Sequence, residues 1–437
     1  MDEAIDRGAL SAFFKALKIR ALDVAEPEGQ RYYQSLHQPG HDPVERLFDT
    51  IDFSGAESIQ LIAGFRGTGK STELSRLAAR LRAADYLVVQ IDLDHYLDMH
   101  GALDPAAFLL LLTGAIGERM TEQGLLGSSV AGRPGFWERA VGFLGREVEI
   151  TSLGFAGGGA ELKVALKDDR QLRARIRDAL EGRIQLLVRE VRAFHEETLR
   201  QLQERWGAEA RLVVIVDSLE HLRGRGQGFE EIQESVERLF LDHARDLGLP
   251  DTHVVMSVPA FLILQADSLE AELGTGSFQA WSACRVRDMT GEPQPTALRH
   301  LRELVERRGD WRLVLPDQPA MDQLILASGG YIRDLLNMMV EAIHLARNGV
   351  EPDAADRIED LTRRAYLPLY ADERVLLKRI HDARDVGAVQ RKDRGYVMRF
   401  LDSHLVMPYL NDKFWYAVHP LVEPVLASTQ GEDPQEP

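Results

Sequence analysis

The stretch from Leu61 to Leu74, LIAGFRGTGKSTEL, decides the fold class of this chain. A short apolar run leads into a loop with three glycines, a lysine and two hydroxyl residues, and an amphipathic segment follows. Glycines let the backbone bend and approach a phosphate without an obstructing Cβ, so that consecutive N–H groups can point inward. A helix that begins at such a loop directs its positive end at the same point. The pattern predicts a phosphate-binding loop, here called the P-loop (residues 64–71), between a strand and a helix.

Each residue type in the P-loop has an expected role. Lys70 is expected to reach the β- and γ-phosphates of a nucleotide, and the Ser71 hydroxyl is expected to bind Mg²⁺. No Asn-Lys-x-Asp motif that would read guanine is present, which favours ATP. The alternative is an ordinary glycine-rich turn. The residues expected to hold the nucleotide are Gly64, Arg66, Gly67, Thr68, Gly69, Lys70, Ser71 and Thr72.

Apolar runs alternate with helical patterns through the first two thirds of the chain, which is typical of βαβ units around a parallel sheet. Runs this continuous in Val, Ile and Leu are expected to be covered by helices on both faces. The sequence therefore predicts an α/β fold with a P-loop parallel sheet of about five strands. The predicted strands are SIQLIAG (58–64), YLVVQIDL (86–93), RLVVIVD (211–217), THVVMSV (252–258) and a more exposed CRVRDM (284–289).

A long insertion, at about 145–208, separates the second and third predicted strands. Residues 148–167 alternate on both sides of a glycine run, which predicts a hairpin. Residues 169–206 place apolar side chains at helical spacing without a proline, which predicts one long amphipathic helix. An intramolecular packing face is favoured for that helix over a partner-binding coiled coil.

After Pro293 the strand patterns stop, and three helical segments follow, each closed by glycine. Further on, a helical unit and two short strands around an Asn-Asp turn resemble a winged helix. The predicted domains are an N-terminal helical segment (1–40), a P-loop core (41–290), a helical lid (291–365), a winged-helix-like domain (366–427) and a disordered tail (428–437).

Two acidic residues follow the third predicted strand. Asp217 ends the apolar run, where its carboxylate is expected to face the metal ion; the alternative is a cap of the following helix. Glu220 is the candidate general base that deprotonates the attacking water. If Glu220 is merely an exposed helical residue, the protein binds nucleotide and hydrolyses it slowly.

Two further positions fit a nucleotide-hydrolysing site. Ser257, at the end of the fourth predicted strand, is a candidate polar contact near the attacking water; the alternative is a hydroxyl bonded to nearby backbone. Arg333 follows a Gly-Gly pair at the start of a helix and is a candidate contact to the γ-phosphate. The alternative is a surface arginine paired with Asp334 or Glu341.

Composition narrows the class of protein. Hydrophobic residues make up 45% and charged residues 28% of 437 residues, the balance of a globular chain. The net charge of −17 opposes broad nucleic-acid binding. Cys284 is the single cysteine, which excludes an internal disulfide or a multi-cysteine metal site. No apolar run is long enough to cross a bilayer, and the N-terminus lacks a secretory pattern, so a cytoplasmic protein is expected.

With these residues in order, the chain resembles P-loop ATPases of the AAA+/STAND superclass, especially the origin-recognition-like and NACHT-like branches and STAND-type ATPases of bacteria. The motifs are the P-loop, VVIVDSLE (213–220), the HVVMSVP strand and SGGYIRDL (328–335). The resemblance implies ATP and Mg²⁺ as ligands and a base pocket near Tyr32, Tyr33, His41 and Val44. Position 218, where many AAA+ ATPases have their catalytic glutamate, is Ser. The possible arginine fingers are Arg223, Arg225, Arg285 and Arg287, and none is distinguished.

The function that follows is an ATP-binding molecular switch with slow hydrolysis, controlling self-association or a separately encoded effector protein, in a bacterial stress or defence system. One alternative is a DNA-binding ATPase of the origin-loading or transposition type, with Arg391, Lys392 and Arg394 contacting DNA. In STAND proteins the winged helix instead packs on the ATPase and holds it inactive, and the apolar FWYAVHPLV stretch favours packing. The other alternative is a nucleotide sensor that does not hydrolyse.

Overall fold

The computed structural model describes residues 7–18, 21–37, 41–126, 135–147, 158–222, 228–347, 349–410 and 414–427. The chain forms two compact units. The first consists of Met1–Pro43, Gly64–Arg76 and Ala280–Pro437, and the second consists of Val44–Ala63 and Leu77–Gln279. The P-loop therefore belongs to the same unit as the helices after residue 291. The domain boundaries placed at residues 40, 290 and 365 from the sequence stay predictions.

A five-stranded sheet organises the second unit, with the strand order β2-β3-β4-β1-β5. The pairs β2–β3, β3–β4 and β4–β1 run parallel. Buried Val, Ile and Leu fill the inner strands because helices cover both faces of a parallel sheet. This confirms the α/β fold class. The strands are β1 Ser58–Gly64, β2 Tyr86–Asp92, β3 Arg211–Asp217, β4 Thr252–Val258 and β5 Phe278–Trp281.

The strand predicted over residues 284–289 is wrong. The fifth strand is β5, and the later segment contributes only one isolated bridge, between Arg287 and Pro293. The two arginines of CRVRDM are half-buried, and an alternating pattern of this kind does not fill a strand that is covered on both faces.

Eighteen helices are described. They are α1 Arg7–Ala16, α2 Pro27–Tyr32, α3 Pro43–Phe53, α4 Lys70–Arg82, α5 Pro105–Glu122, α6 Phe136–Glu147, α7 Gly159–Asp168, α8 Arg170–Leu180, α9 Ile184–Trp206, α10 Gly228–Asp242, α11 Ala266–Leu273, α12 Pro295–Glu306, α13 Gln318–Ala327, α14 Ile332–Ala346, α15 Ala354–Arg363, α16 Ala371–Ala383, α17 Arg394–Asp402 and α18 Glu423–Ala427. Among the described residues, no helix is both long enough and apolar enough to span a membrane.

The insertion of the second unit is helical. The predicted hairpin over residues 148–167 is wrong for its second half, which is α7; residues 148–157 lie outside the described part of the chain. The predicted single helix over residues 169–206 is two helices, α8 and α9. Gly182 separates them with φ of 67°, a left-handed conformation that cannot continue a right-handed helix.

The first unit has its core in the predicted lid. Helices α12, α13 and α14 match the three helical segments expected from the sequence, and α15 adds a fourth. Phe13 and Leu17 of the N-terminal segment are buried in the same apolar cluster. A Cβ at Gly309 would lie 2.3 Å from the Phe13 ring, so glycine is required where the N-terminal segment packs against the lid.

The C-terminal segment of the first unit has the winged-helix-like order that the sequence predicted. Helices α16 and α17 precede an antiparallel hairpin of β6 Val406–Leu410 and β7 Phe414–Val418. The predicted Asn-Asp turn, at residues 411–413, lies outside the described residues. This segment, residues 371–427, is called the C-terminal domain below.

Candidate functional site

The P-loop has the backbone geometry that its glycines predict. Gly67 and Gly69 have φ of 95° and 98°, in the left-handed region that favours glycine. A Cβ at Gly64 would lie 2.6 Å from the Trp281 carbonyl oxygen, so no larger residue fits there. Helix α4 starts at Lys70, so the positive end of its dipole lies at the loop.

The side chains of Thr68, Lys70 and Thr72 are bonded within the first unit. Lys70 is 3% exposed, and its Nζ donates to the carbonyl oxygens of Gly64 and Phe65 at 2.9 and 2.6 Å. Thr68 Oγ1 donates to the Phe65 carbonyl oxygen at 3.0 Å. Thr72 Oγ1 accepts a hydrogen bond from the Leu22 N–H at 3.0 Å. The loop therefore holds its cation at the centre, surrounded by main-chain groups.

The lid contacts the P-loop through the residues that begin α14. The Tyr331 hydroxyl donates to the Arg66 carbonyl oxygen, and the Arg333 N–H donates to the Gly67 carbonyl oxygen at 3.3 Å. A Cβ at Gly67 would lie 2.7 Å from Arg333 Nε. That Nε is buried and has no hydrogen-bond partner among the described residues. A buried unpaired donor beside a phosphate-binding loop is what an anion in the loop would satisfy.

The C-terminal domain also reaches the P-loop, through His404. The His404 ring packs edge-on against Phe65, with ring centroids 5.0 Å apart, and lies 4.7 Å from the Tyr331 ring. Burial, together with the positive charges of Lys70 and Arg333, lowers the pKa of His404 to about 3. The imidazole is therefore neutral at physiological pH. An anion bound at the loop would act in the opposite sense and raise this pKa.

A second set of contacts joins the lid to the C-terminal domain. Asp334, the residue after Arg333, lies 3.3 Å from Nε2 of the fully buried His419 and accepts a hydrogen bond from the Tyr366 hydroxyl. His419 Nδ1 accepts the Leu421 N–H, which leaves Nε2 as the donor toward Asp334. Consecutive residues of α14 thus face the P-loop and the C-terminal domain.

The predicted acidic residues lie in the second unit, at the end of β3. Asp217 is opposite Asp92 of β2 in the parallel register. Ser218 has φ of 76°, and its N–H donates to Asp217 Oδ1 at 2.8 Å. This local reversal brings Glu220 back toward the sheet instead of out to solvent.

Glu220 and Ser257 are brought together. Ser257 Oγ donates a hydrogen bond to Glu220 Oε2 at 2.7 Å. Ser257 is 0% exposed and Glu220 is 8% exposed. The exposed-residue alternative for Glu220 and the local-backbone alternative for Ser257 therefore do not describe this arrangement. For Arg333, the surface-arginine alternative is wrong, because its guanidinium lies against Gly67 and Asp334 is bonded to other groups.

The remaining residues named from the sequence are the possible arginine fingers and the expected base contacts. Arg223 and Arg225 lie outside the described residues, whereas Arg287 Nη1 donates to the Gly291 carbonyl oxygen at 2.9 Å. Of the expected base contacts, the Tyr33 hydroxyl is bonded to Glu73 at 3.2 Å, and Val44 is fully buried.

Some of the basic residues in the C-terminal domain are paired with acidic residues of the same domain. Arg391 and Lys392 are exposed, but Arg399 is paired with Glu373 and the Tyr396 hydroxyl donates to Asp372 at 2.5 Å.

Sequence reasoning missed Tyr331 and His404. Tyr331 stands inside the SGGYIRDL motif, so its neighbourhood was a usable signal. His404 has no distinctive sequence context, and only the folding of the C-terminal domain brings it to the P-loop.

Comparison with known proteins gives a loose structural likeness. No protein-family model matches the chain, and no curated protein matches it. Among solved structures, the ADP form of the Aeropyrum pernix ORC2 protein is 11% identical with a TM-score of 0.42, covering 96% of this chain and 98% of that one. Pyrobaculum aerophilum Cdc6p is 12% identical with a TM-score of 0.36, covering 91% and 97%.

The Aeropyrum pernix ORC1 protein in complex with DNA is 14% identical with a TM-score of 0.34, covering 94% and 97% of the two chains. At these identities and TM-scores the likeness assigns no role to any residue.

Proposed function

We propose that this protein binds Mg²⁺-ATP at the P-loop and works as a nucleotide-controlled switch. One observation carries the proposal: a lid residue with an unpaired buried donor, Arg333, and a C-terminal residue, His404, both lie against the same phosphate-binding loop. A group at that position senses the charge of the nucleotide directly. The proposal places this chain with AAA+ P-loop ATPases and, more finely, with STAND-type switches.

The residues of the loop divide the work of binding. Main-chain N–H groups from Gly64 to Thr72 hold the phosphates, and Lys70 neutralises their charge. Ser71 would supply a hydroxyl ligand to Mg²⁺ beside the phosphate oxygens, and Asp217 stays the carboxylate ligand predicted from the sequence. Bound Mg²⁺ supplies charge neutralisation of the phosphates. Among the described residues there is no cluster of three His, Cys, Asp or Glu that could hold a metal ion.

Hydrolysis is assigned to Glu220 with Ser257 as its positioning residue. A carboxylate that removes a proton from water must be oriented and ionised. The Ser257 hydrogen bond provides the orientation. The slow turnover proposed for this protein suits a switch better than a motor.

The switch itself is the docking of the C-terminal domain. His404 contacts the P-loop, His419 and Tyr366 hold Asp334, and the Tyr409 hydroxyl donates to the Gly329 carbonyl oxygen at 2.7 Å. A γ-phosphate that engages Arg333 displaces α14 and weakens the adjoining Asp334 contacts. Only such a difference in contacts between two states lets a ligand shift their populations. Released surfaces then serve self-association or an effector protein, in a stress or defence role.

The test is the substitution Lys70→Ala. Removing the ammonium group should abolish tight binding of ATP in the presence of magnesium, measured by calorimetry, because Lys70 supplies the positive charge at the centre of the loop. Lys378→Ala is the matched control, since Lys378 is exposed and, among the described residues, pairs with Asp382 on its own helix. Unchanged affinity in a folded Lys70→Ala protein contradicts the proposal.

A further inference from the structure

The N-terminal segment between α1 and α3 makes polar contacts to two different helices. This segment, residues 21–37, is called the strap. It contains the short helix α2 and otherwise has no regular structure. Most of its polar contacts go to α12 and to the part of α4 that belongs to the first unit, residues 70–76. Helix α4 begins at the P-loop, and α12 opens the lid.

The strap is bonded to the first two turns of α4. The Leu22 N–H donates to Thr72 Oγ1 at 3.0 Å, and the Val24 N–H donates to Ser75 Oγ at 3.3 Å. Ser75 Oγ in turn donates to Asp23 Oδ1 at 2.9 Å. Further along, the Tyr33 hydroxyl donates to Glu73 at 3.2 Å. Thr72 and Ser75, one turn apart on one face of α4, thus receive consecutive parts of the strap.

The same strap is bonded to the lid. Gln34 donates to Glu303 at 3.1 Å and accepts from Arg307 Nε at 2.8 Å, so its side chain is held from both sides by α12 and the residue after it. Arg308 Nη1 donates to the Tyr32 carbonyl oxygen at 3.2 Å, and its guanidinium stacks 5.5 Å from the Tyr32 ring.

Arg308 has no ion pair among the described residues. Burial lowers its pKa to about 10. Burying a cation costs free energy, and contacts to carbonyl oxygens and an aromatic ring offset part of that cost. For Arg308, the carbonyl oxygen and the ring of Tyr32 in the strap provide such contacts.

We infer that the strap ties the lid to the P-loop helix and sets the rate at which bound nucleotide leaves. This inference rests on the proposed function. A nucleotide gripped by the P-loop and covered by the lid escapes when the lid moves away. That movement must either break the Gln34 and Arg308 contacts or pull the strap off Thr72 and Ser75. The strap therefore slows nucleotide dissociation, although it contributes no atom to the phosphate site.

The experiment measures release of a fluorescent (mant) ADP on dilution into excess ADP. The double substitution Gln34→Ala with Arg308→Met removes the lid contacts and keeps most of the Arg308 stem. Release should be roughly fivefold faster or more, the change expected when one or two hydrogen bonds to charged groups are lost. The matched control is Gln318→Ala with Arg312→Met, since both residues are exposed on the lid and the partners described for them are neighbouring lid residues.

Hydrogen exchange gives a readout that does not use nucleotide. In the double variant the amides of residues 21–37 should exchange faster than in the wild type, while amides in the core of α14 stay protected. Wild-type release and wild-type exchange in a folded double variant overturn the inference and leave the proposed function standing. Absence of mant-ADP binding by the wild-type protein overturns both.

Discussion

His404 illustrates how much one side chain depends on its surroundings. Burial and the nearby positive charges of Lys70 and Arg333 lower the pKa of its imidazole from the ordinary value of 6.5 to about 3. The folded protein therefore resists protonation of His404, whereas the unfolded chain binds that proton with the usual histidine pKa of about 6.5. Stability linked to His404 is fully present above the unfolded pKa of about 6.5 and is lost as pH falls from there toward 3.

The substitution His404→Asn should reduce the pH dependence of stability. Between pH 7.5 and 5.5 the unfolded wild type takes up a proton at residue 404 that the folded protein does not, which removes about 1.4 kcal/mol of stability. Asparagine does not titrate, so urea-unfolding free energies of the variant should fall by that much less over the same range. Other histidines, such as the buried His195, contribute equally to both proteins. Identical pH dependence contradicts the docked position of His404.

Glu220 and Ser257 show a pairing that spacing alone does not reveal. The two residues are far apart in the sequence, and the left-handed Ser218 turns the chain so that the carboxylate meets the end of β4. The Ser257 hydroxyl fixes one carboxylate oxygen, Oε2, in place. This favours Glu220 as the group that takes the proton.

Replacing Glu220 by Gln should leave ATP affinity near that of the wild type and slow phosphate release at least tenfold, because an amide cannot accept the proton. Ser257→Ala should give a smaller loss, since the base remains but is less well oriented. Glu234→Gln, an exposed change on α10, serves as the control. Undiminished turnover in Glu220→Gln removes Glu220 from the mechanism.

At the scale of secondary-structure elements, Gly182 marks the break between α8 and α9. Gly182 has a left-handed φ, whereas Gly142 lies inside α6 with space around it. Both positions accept a methyl group sterically: nothing lies within 4 Å of a Cβ at Gly182, and Arg146 lies 3.8 Å away at Gly142. Only the backbone conformation distinguishes them.

Gly182→Ala should destabilise the protein by about 1 kcal/mol, the cost of placing an L-residue in the left-handed region. Gly142→Ala should stabilise it by roughly 0.5–1 kcal/mol, because alanine is the better helix former. Chemical denaturation of the two variants checks the opposite signs. A stabilised Gly182→Ala protein would show that α8 and α9 join into one helix.

The elements were predictable from sequence to different degrees. Four strands followed from continuous Val, Ile and Leu runs, because burial on both faces leaves that signature. The fifth strand was misplaced, since FQAW is short and its glutamine at position 279 breaks the apolar run. The local alternation of GAELKVALK predicts a strand after the glycine run, yet the same residues place Leu162 and Leu166 one helical turn apart, and both are buried.

At the scale of the whole molecule, charge argues against the DNA-binding alternative. A net charge of −17 makes the long-range field repulsive to phosphate backbones. The C-terminal domain has exposed Arg391 and Lys392, but Arg399 and Tyr396 are bonded to its own acidic residues. The same domain lies against the lid and P-loop, which favours the packing role over a nucleic-acid interface.

The sequence by itself determined the P-loop, the alternation of strands and helices and the acidic end of β3, because glycine spacing, apolar periodicity and strand ends are local properties. The tertiary structure alone decided which distant side chains meet: Glu220 with Ser257, His404 with Phe65 and Tyr331, and the strap with α4 and α12. Such pairings depend on chain reversals and on packing between elements, and neither leaves a periodic trace in the order of residues.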